Sequence, residues 1–183
     1  MLEHTEEERA LVEAQVGRPM RGSWRVARRC HLGVPMVIES HPRLDDGSPF
    51  PTTFWLTCPM LVKRASLFES EGWMAGLNER LVGDAAMSER LGSAVGRYRT
   101  RRDSYEPIAD SGSPPGGGPD RVKCLHAHTA HELADPPNPV GALTLGLTGW
   151  PDCRVPCYEA AEPDAGPAGA RAHAPTVSSA AIR

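Results

Sequence analysis

No stretch of the 183-residue chain stays apolar long enough to cross a bilayer, which takes about 20 residues. Positive charge is not in excess either: 20 Lys and Arg stand against 23 Asp and Glu, for a net charge of −3. That balance offers no general attraction to nucleic acid or to an anionic membrane, so neither is an expected partner, while a protein partner stays open. The N-terminus, MLEHTEEERA, has neither the basic start nor the apolar centre of a secretory leader, and the expected location is the cytoplasm. The chain has no internal repeat and no Cys-x-x-Cys pair. Five cysteines is an odd number, and in a reducing compartment disulfides are not their expected use. Ligation of a metal, or burial as small apolar groups, is what remains.

The length suits one hydrophobic core rather than two. Thr5 and Glu8 form a capping-box pattern ahead of Leu11, Val12 and Val16, predicting a helix over 6–16 that stops at Gly17. SWRVAR, PMVIESH and TTFWLT follow as strand candidates rich in β-branched and aromatic residues, with an Asp46-Gly47 turn between the second and third. From Pro59 the period becomes helical. Two helices divide near Gly72, and a third carries Met87, Leu91, Val95 and Tyr98 on one stripe. Residues 107–119 are too rich in Pro and Gly for regular structure, Asp120 reads as the N-cap of a helix through 134, and Asn138-Pro139 opens another. The expected fold class is α+β: one domain over 1–158, with a small antiparallel sheet (about 23–57) packed against several helices. Residues 159–183, poor in large apolar groups, are expected to form a disordered tail.

The densest chemistry lies in RVKCLHAHTAHELA, where Cys124, His126, His128 and His131 fall within eight positions. On a helix, Cys124, His128 and His131 share a stripe opposite Val122, Leu125, Thr129 and Leu133; a helix beginning later selects Cys124, His126 and His131 instead. Thiolate and imidazole together suit zinc or another transition metal. One helix rarely closes a tetrahedral shell, and Cys30 and Cys58, both at strand ends, are the candidates to complete it. Cys153-x-x-x-Cys157 is a less diagnostic spacing. An iron–sulfur cluster on Cys30, Cys58, Cys124 and Cys157 is the second choice. Against all of these stands the plain reading of buried cysteines and solvated histidines.

Other chemistries stay open. Cys124 with His131 or His128 as base is a conceivable nucleophilic pair, though no orienting third residue or oxyanion loop is recognisable. RPMRGSWRVARR and RYRTRR gather arginines suited to phosphate or to stacking on bases, and neighbouring acids offset them. Gly116–Gly118 precede a helix as an anion cradle does, without the lysine and Ser/Thr of a phosphate-binding loop.

The blocks VGRPMRG, HPRLDDGSPFPTTFWLTCP, DRVKCLHAHTAHELA and NPVG, in this order over residues 9–150, resemble the actinobacterial domain of unknown function 501 (DUF501) family. The family has no established activity, so the resemblance implies a fold unit rather than a reaction. It implies Cys30, Cys124, His126 and His131 as site residues together with the Pro51-Thr52 strand entry, with Cys58 less uniform and His128 peculiar to this chain. It thereby favours Cys124, His126 and His131 over the helical stripe. The chain departs from the family at Cys30-His31-Leu32-Gly33, where members often read Cys-Pro-x-Gly, and at ALTLGLTGW, where acidic residues usually follow NPVG. The expected site is therefore Cys30, Cys58, Cys124, His126 and His131 around zinc, in a structural or regulatory role. The alternatives are a metal-dependent or cysteine-based hydrolase and an arginine-rich phosphate or nucleic-acid binding module.

Overall fold

The structure, a computed structural model, describes residues 2–107, 114, 116–159 and the backbone of 171–172. Helix α1 (Glu6–Val16) opens on the expected capping box: the Glu8 amide donates to Thr5 Oγ1 at 3.1 Å, and the Thr5 amide donates to Glu8 Oε2 at 2.8 Å. It stops at Gly17, whose φ of 75° is easy only for glycine.

Strands β1 (Trp24–Arg29), β2 (Pro35–Ser40) and β3 (Phe54–Leu56) form an antiparallel sheet in that order, with Trp24 opposite Ser40 and Ile38 opposite Trp55. The central strand is buried along its whole length because both faces are covered. Ile38 and Trp24 pack with Val12 and Met20, beneath α1. Val37, Phe54 and Leu56 join Leu61, Tyr98 and Leu133 from the helical side.

The helices are α2 (Pro59–Ser70), α3 (Trp73–Gly83), α4 (Ala85–Asp103), α5 (Leu125–Ala134) and α6 (Pro139–Thr148). Asp84 caps α4 by accepting the Met87 amide at 2.9 Å. The predicted Met87, Leu91, Val95 and Tyr98 stripe is the buried face of α4, three of its members meeting Leu81, Val122, Leu125 and Val140 in a second core. Helix α5 packs on α6, α2 and β3 and so lies at the centre of the molecule. No helix among the described residues is long and apolar enough to cross a membrane.

One boundary is corrected. Helix α5 begins at Leu125, not near Asp120, and its N-cap is Cys124 in extended conformation. Tertiary hydrogen bonds hold residues 122–123 straight: the Val122 amide and carbonyl both pair with the Asn78 side chain, and the Lys123 amide donates to the Gly116 carbonyl. The expected loop is described in part, residues 108–113 and 115 lying outside the described residues. Most of the expected disordered tail is likewise outside them, apart from a two-residue pairing of β4 (Tyr158–Glu159) with β5 (Arg171–Ala172).

Candidate metal centre

Extended geometry at Cys124 (φ −154°) takes its sulfur off the helical stripe, and the first turn of α5 places His126 beside it. The last turn of α2 brings Glu69 to the same point, so that ligand atoms of Glu69, Cys124 and His126 all lie within 4.8 Å of one another. Both acidic partners meet the same nitrogen: His126 Nδ1 is 3.1 Å from Glu69 Oε1 and 3.8 Å from Cys124 Sγ. The other ring nitrogen, Nε2, lies 3.1 Å from the Val62 carbonyl and 3.1 Å from Ser66 Oγ. A carbonyl only accepts, so it holds the proton on Nε2 and turns the Nδ1 lone pair of the neutral ring toward the thiol and carboxylate.

The cluster demands positive charge at Nδ1. The hydrogen bond to Cys124 raises the His126 pKa to about 9, opposed by partial burial and reinforced by Glu69. With no other cation present, a proton fills that place. A nucleophile–base–orienter relay needs thiol and carboxylate on opposite ring nitrogens; convergence on one nitrogen argues against that use of Cys124. Beside the cluster lies a cavity of about 300 Å³, walled by Phe54, Trp55, Leu56 and Val62 and reached by Cys124 and His126.

His131 and His128 face away from this point into the core. The fully buried Asn138 side chain presents its amide nitrogen 3.1 Å from His128 Nδ1 and 3.0 Å from His131 Nδ1, while its Oδ1 accepts the Val140 and Gly141 amides and caps α6. His128 Nε2 in turn lies 2.9 Å from the Gly116 carbonyl, and the His131 ring stacks on Phe54. Burial lowers the pKa of both histidines to about 4. Both rings are neutral packing groups with their Nδ1 lone pairs already engaged.

Among the described residues, Cys30 and Cys58 are not in the ligand group that converges with Cys124. They sit on either side of the start of β2, where the Cys30 amide donates to the Val34 carbonyl (2.8 Å) and the Cys58 amide to that of Met36 (3.3 Å). Cys153 comes to the same rim, its carbonyl 2.9 Å from His31 Nε2. The five expected ligands thus divide among three places: Cys124 and His126 with Glu69, Cys30 and Cys58 at the sheet rim, and His131 in the core.

The arginine stretches are largely engaged with acids. Arg25 and Arg101 both bind Glu39, which also accepts from Tyr105 at 2.8 Å; Arg29 pairs with Glu8 and Arg21 with Asp46. Burial pushes the Glu39 pKa up, but the hydrogen bonds from Arg101, Arg25 and Tyr105 outweigh it and hold the carboxyl below its ordinary value. The α5 N-terminus does hold an anion, supplied by the chain itself: the Leu125 amide donates to Glu69 Oε1 at 2.6 Å.

The family model described as "Protein of unknown function (DUF501)" matches residues 26–146, well over half of the chain and most of the span from β1 to α6. The chain belongs to the DUF501 family. No curated protein and no solved structure matches it. Within the DUF501 segment lie Cys30, Cys58, Glu69, Cys124, His126 and His131, whereas Cys153 and Cys157 follow its end. Sequence reasoning missed Glu69 because nothing in LFESEG distinguishes that acid from Glu71; its role comes from a chain separation of 57 residues closed only by the fold.

Proposed function

We propose that this DUF501 protein binds a divalent transition metal ion, zinc by the chemistry of the donors, through Glu69, Cys124 and His126, and offers it to a ligand in the adjoining apolar cavity. Carboxylate, thiolate and imidazole are all zinc ligands, and three protein donors leave one tetrahedral position for an outside group, the pattern of reactive rather than purely structural zinc. The observation that carries the reading is the meeting of Glu69 Oε1 and Cys124 Sγ at one imidazole nitrogen whose partner nitrogen is tied to a backbone carbonyl. Such an outer contact fixes ring orientation and strengthens the donor. Bound there, zinc supplies Lewis acidity toward a carbonyl or phosphoryl group of the cavity's occupant. The largely apolar walls favour an occupant with an uncharged body. Five free cysteines fit a reducing compartment, and on that ground the cytoplasm is the proposed location.

Metal analysis of untagged protein tests the reading. One equivalent of zinc is expected to disappear in both His126→Ala and Glu69→Gln, with the fold retained by circular dichroism. Equal zinc content in wild type and both variants overturns the assignment.

A further inference from the structure

Arg25, Glu39 and Phe54 stand in one row across β1, β2 and β3, with Arg25 and Phe54 the strand partners of Glu39 on either side. Directly paired residues present their side chains to the same face of a sheet. On that face Arg101 of α4 reaches the same carboxylate. Glu39 accepts five hydrogen bonds in all. Arg25 gives two to Oε2, from Nε at 2.9 Å and Nη2 at 2.7 Å; Arg101 gives one to each oxygen, and the Tyr105 hydroxyl gives one to Oε1 at 2.8 Å. That leaves the carboxylate no lone pair for an outside group. Arg101 is held a second way: its Nη2 donates to the Tyr105 hydroxyl at 2.8 Å, and its guanidinium lies 5.1 Å from the centroid of that ring. Nη1 of each arginine makes no hydrogen bond among the described residues, and the two side chains are 46% and 40% exposed.

We infer that Arg25 and Arg101 form a binding site for a small organic carboxylate, a monoanion with a compact apolar body, in the cavity that both arginines line. That cavity measures about 340 Å³, and its walls include Ala27, Phe54 and Ala134. Two arginines against Glu39 leave one positive charge in surplus, because Asp135, the other acid of the lining, pairs with Arg97 at 3.6 Å. A monoanion matches that surplus, whereas a phosphate dianion leaves one negative charge uncompensated. The planar fork of a guanidinium suits the two oxygens of a carboxylate. The apolar walls suit the body behind it. Glu39 acts as a positioning residue. Desolvation of a buried carboxylate offsets most of what its ion pairs contribute to stability. What the arrangement supplies is orientation, two donors fixed in place before a ligand arrives. Phe54 is the one lining residue shared with the cavity beside the Glu69–Cys124–His126 cluster, so the two sites stand on separate chemistry.

The test is a titration of the full-length protein with benzoate, followed by nitrogen–proton NMR at constant ionic strength, with benzamide as the uncharged probe of the same shape. Benzoate is expected to shift the Nε–H signals of Arg25 and Arg101 saturably, and to bind about tenfold or more tightly than benzamide. Arg101→Gln is expected to weaken benzoate by about tenfold. Ala134→Leu fills the cavity and leaves every charge in place; it is expected to weaken benzoate as much, and it decides the matter if Arg101→Gln does not fold. No saturable shift, equal binding of benzamide, tighter binding of inorganic phosphate, or an affinity unchanged in Ala134→Leu each overturns the assignment. Benzoate that shifts only the Cys124 and Ala127 amides occupies the other cavity. That outcome overturns the arginine site and leaves the metal reading untouched.

Discussion

The Asn138 side-chain amide stands 3.0 Å from Nδ1 of His131, so the imidazole that the sequence offers as a metal ligand spends its lone pair inside the protein. The same amide nitrogen serves His128, and the same side chain caps α6 through its oxygen. One residue therefore satisfies the start of α6 and two buried rings.

Replacing Asn138 by alanine removes a helix cap and leaves two buried acceptors without donors. A loss of about 2–4 kcal/mol is expected in urea unfolding, from the sum of a cap and of unpaired buried groups. A change below about 1 kcal/mol contradicts the role.

His128 has a folded pKa of about 4, depressed from 6.5 chiefly by burial. Above pH 6.5 the ring is neutral folded or unfolded and its contribution to stability is complete. As pH falls from 6.5 toward 4, the unfolded chain takes up a proton that the folded ring refuses, and stability declines by up to about 1.4 kcal/mol per pH unit. His131, also lowered to about 4, acts in the same direction. Urea midpoints recorded from pH 7 to 4.5 are expected to fall more steeply in wild type than in His128→Gln; parallel profiles count against the assignment.

Glu39 is 1% exposed on the central strand, with Arg25 and Arg101 on either side. Glu39→Gln leaves both guanidinium groups without their anion. The expected cost is about 2 kcal/mol, less than the 3–5 of a wholly buried pair because the arginines are 46% and 40% exposed. Chemical denaturation of the variant in low and high salt measures it.

A methyl group at Gly141 would stand 2.2 Å from the His128 carbonyl oxygen, so α5 and α6 approach closely only because this position is glycine. Gly141→Ala must push the helices apart, at an expected cost of about 2 kcal/mol or more. A thermal scan showing an unchanged Tm contradicts that contact.

Much of the fold was legible because its signals are local. The Thr5–Glu8 box, the strand at Trp24, the Met87–Tyr98 stripe and the Asn138-Pro139 cap each act over four or fewer neighbouring residues at a time, and the structure has all of them, although β1 loses the expected alternation after Arg25, where its register shifts and Ala27 packs on the core. The start of α5 was misread because Asn78, some 44 residues away, holds Val122 extended and overrides Asp120. The candidate site was legible as chemistry and illegible as geometry. Cys124 and His126 meet as the family pattern implies, but a wheel or a pattern cannot say that His131 turns toward Phe54 or that Glu69 rather than a cysteine joins Cys124. Those outcomes depend on which helices cross, and spacing carries no information about crossings.

Cys124 gives α5 no side-chain cap, and the Leu125 amide is met instead by Glu69 of α2. A ten-residue helix of this kind is too short to persist alone in water. The stability of its first turn is therefore expected to depend on α2 being docked against it. Hydrogen exchange at the Leu125 amide reads out that docking, opening with the α2–α5 contact rather than with any fraying internal to α5.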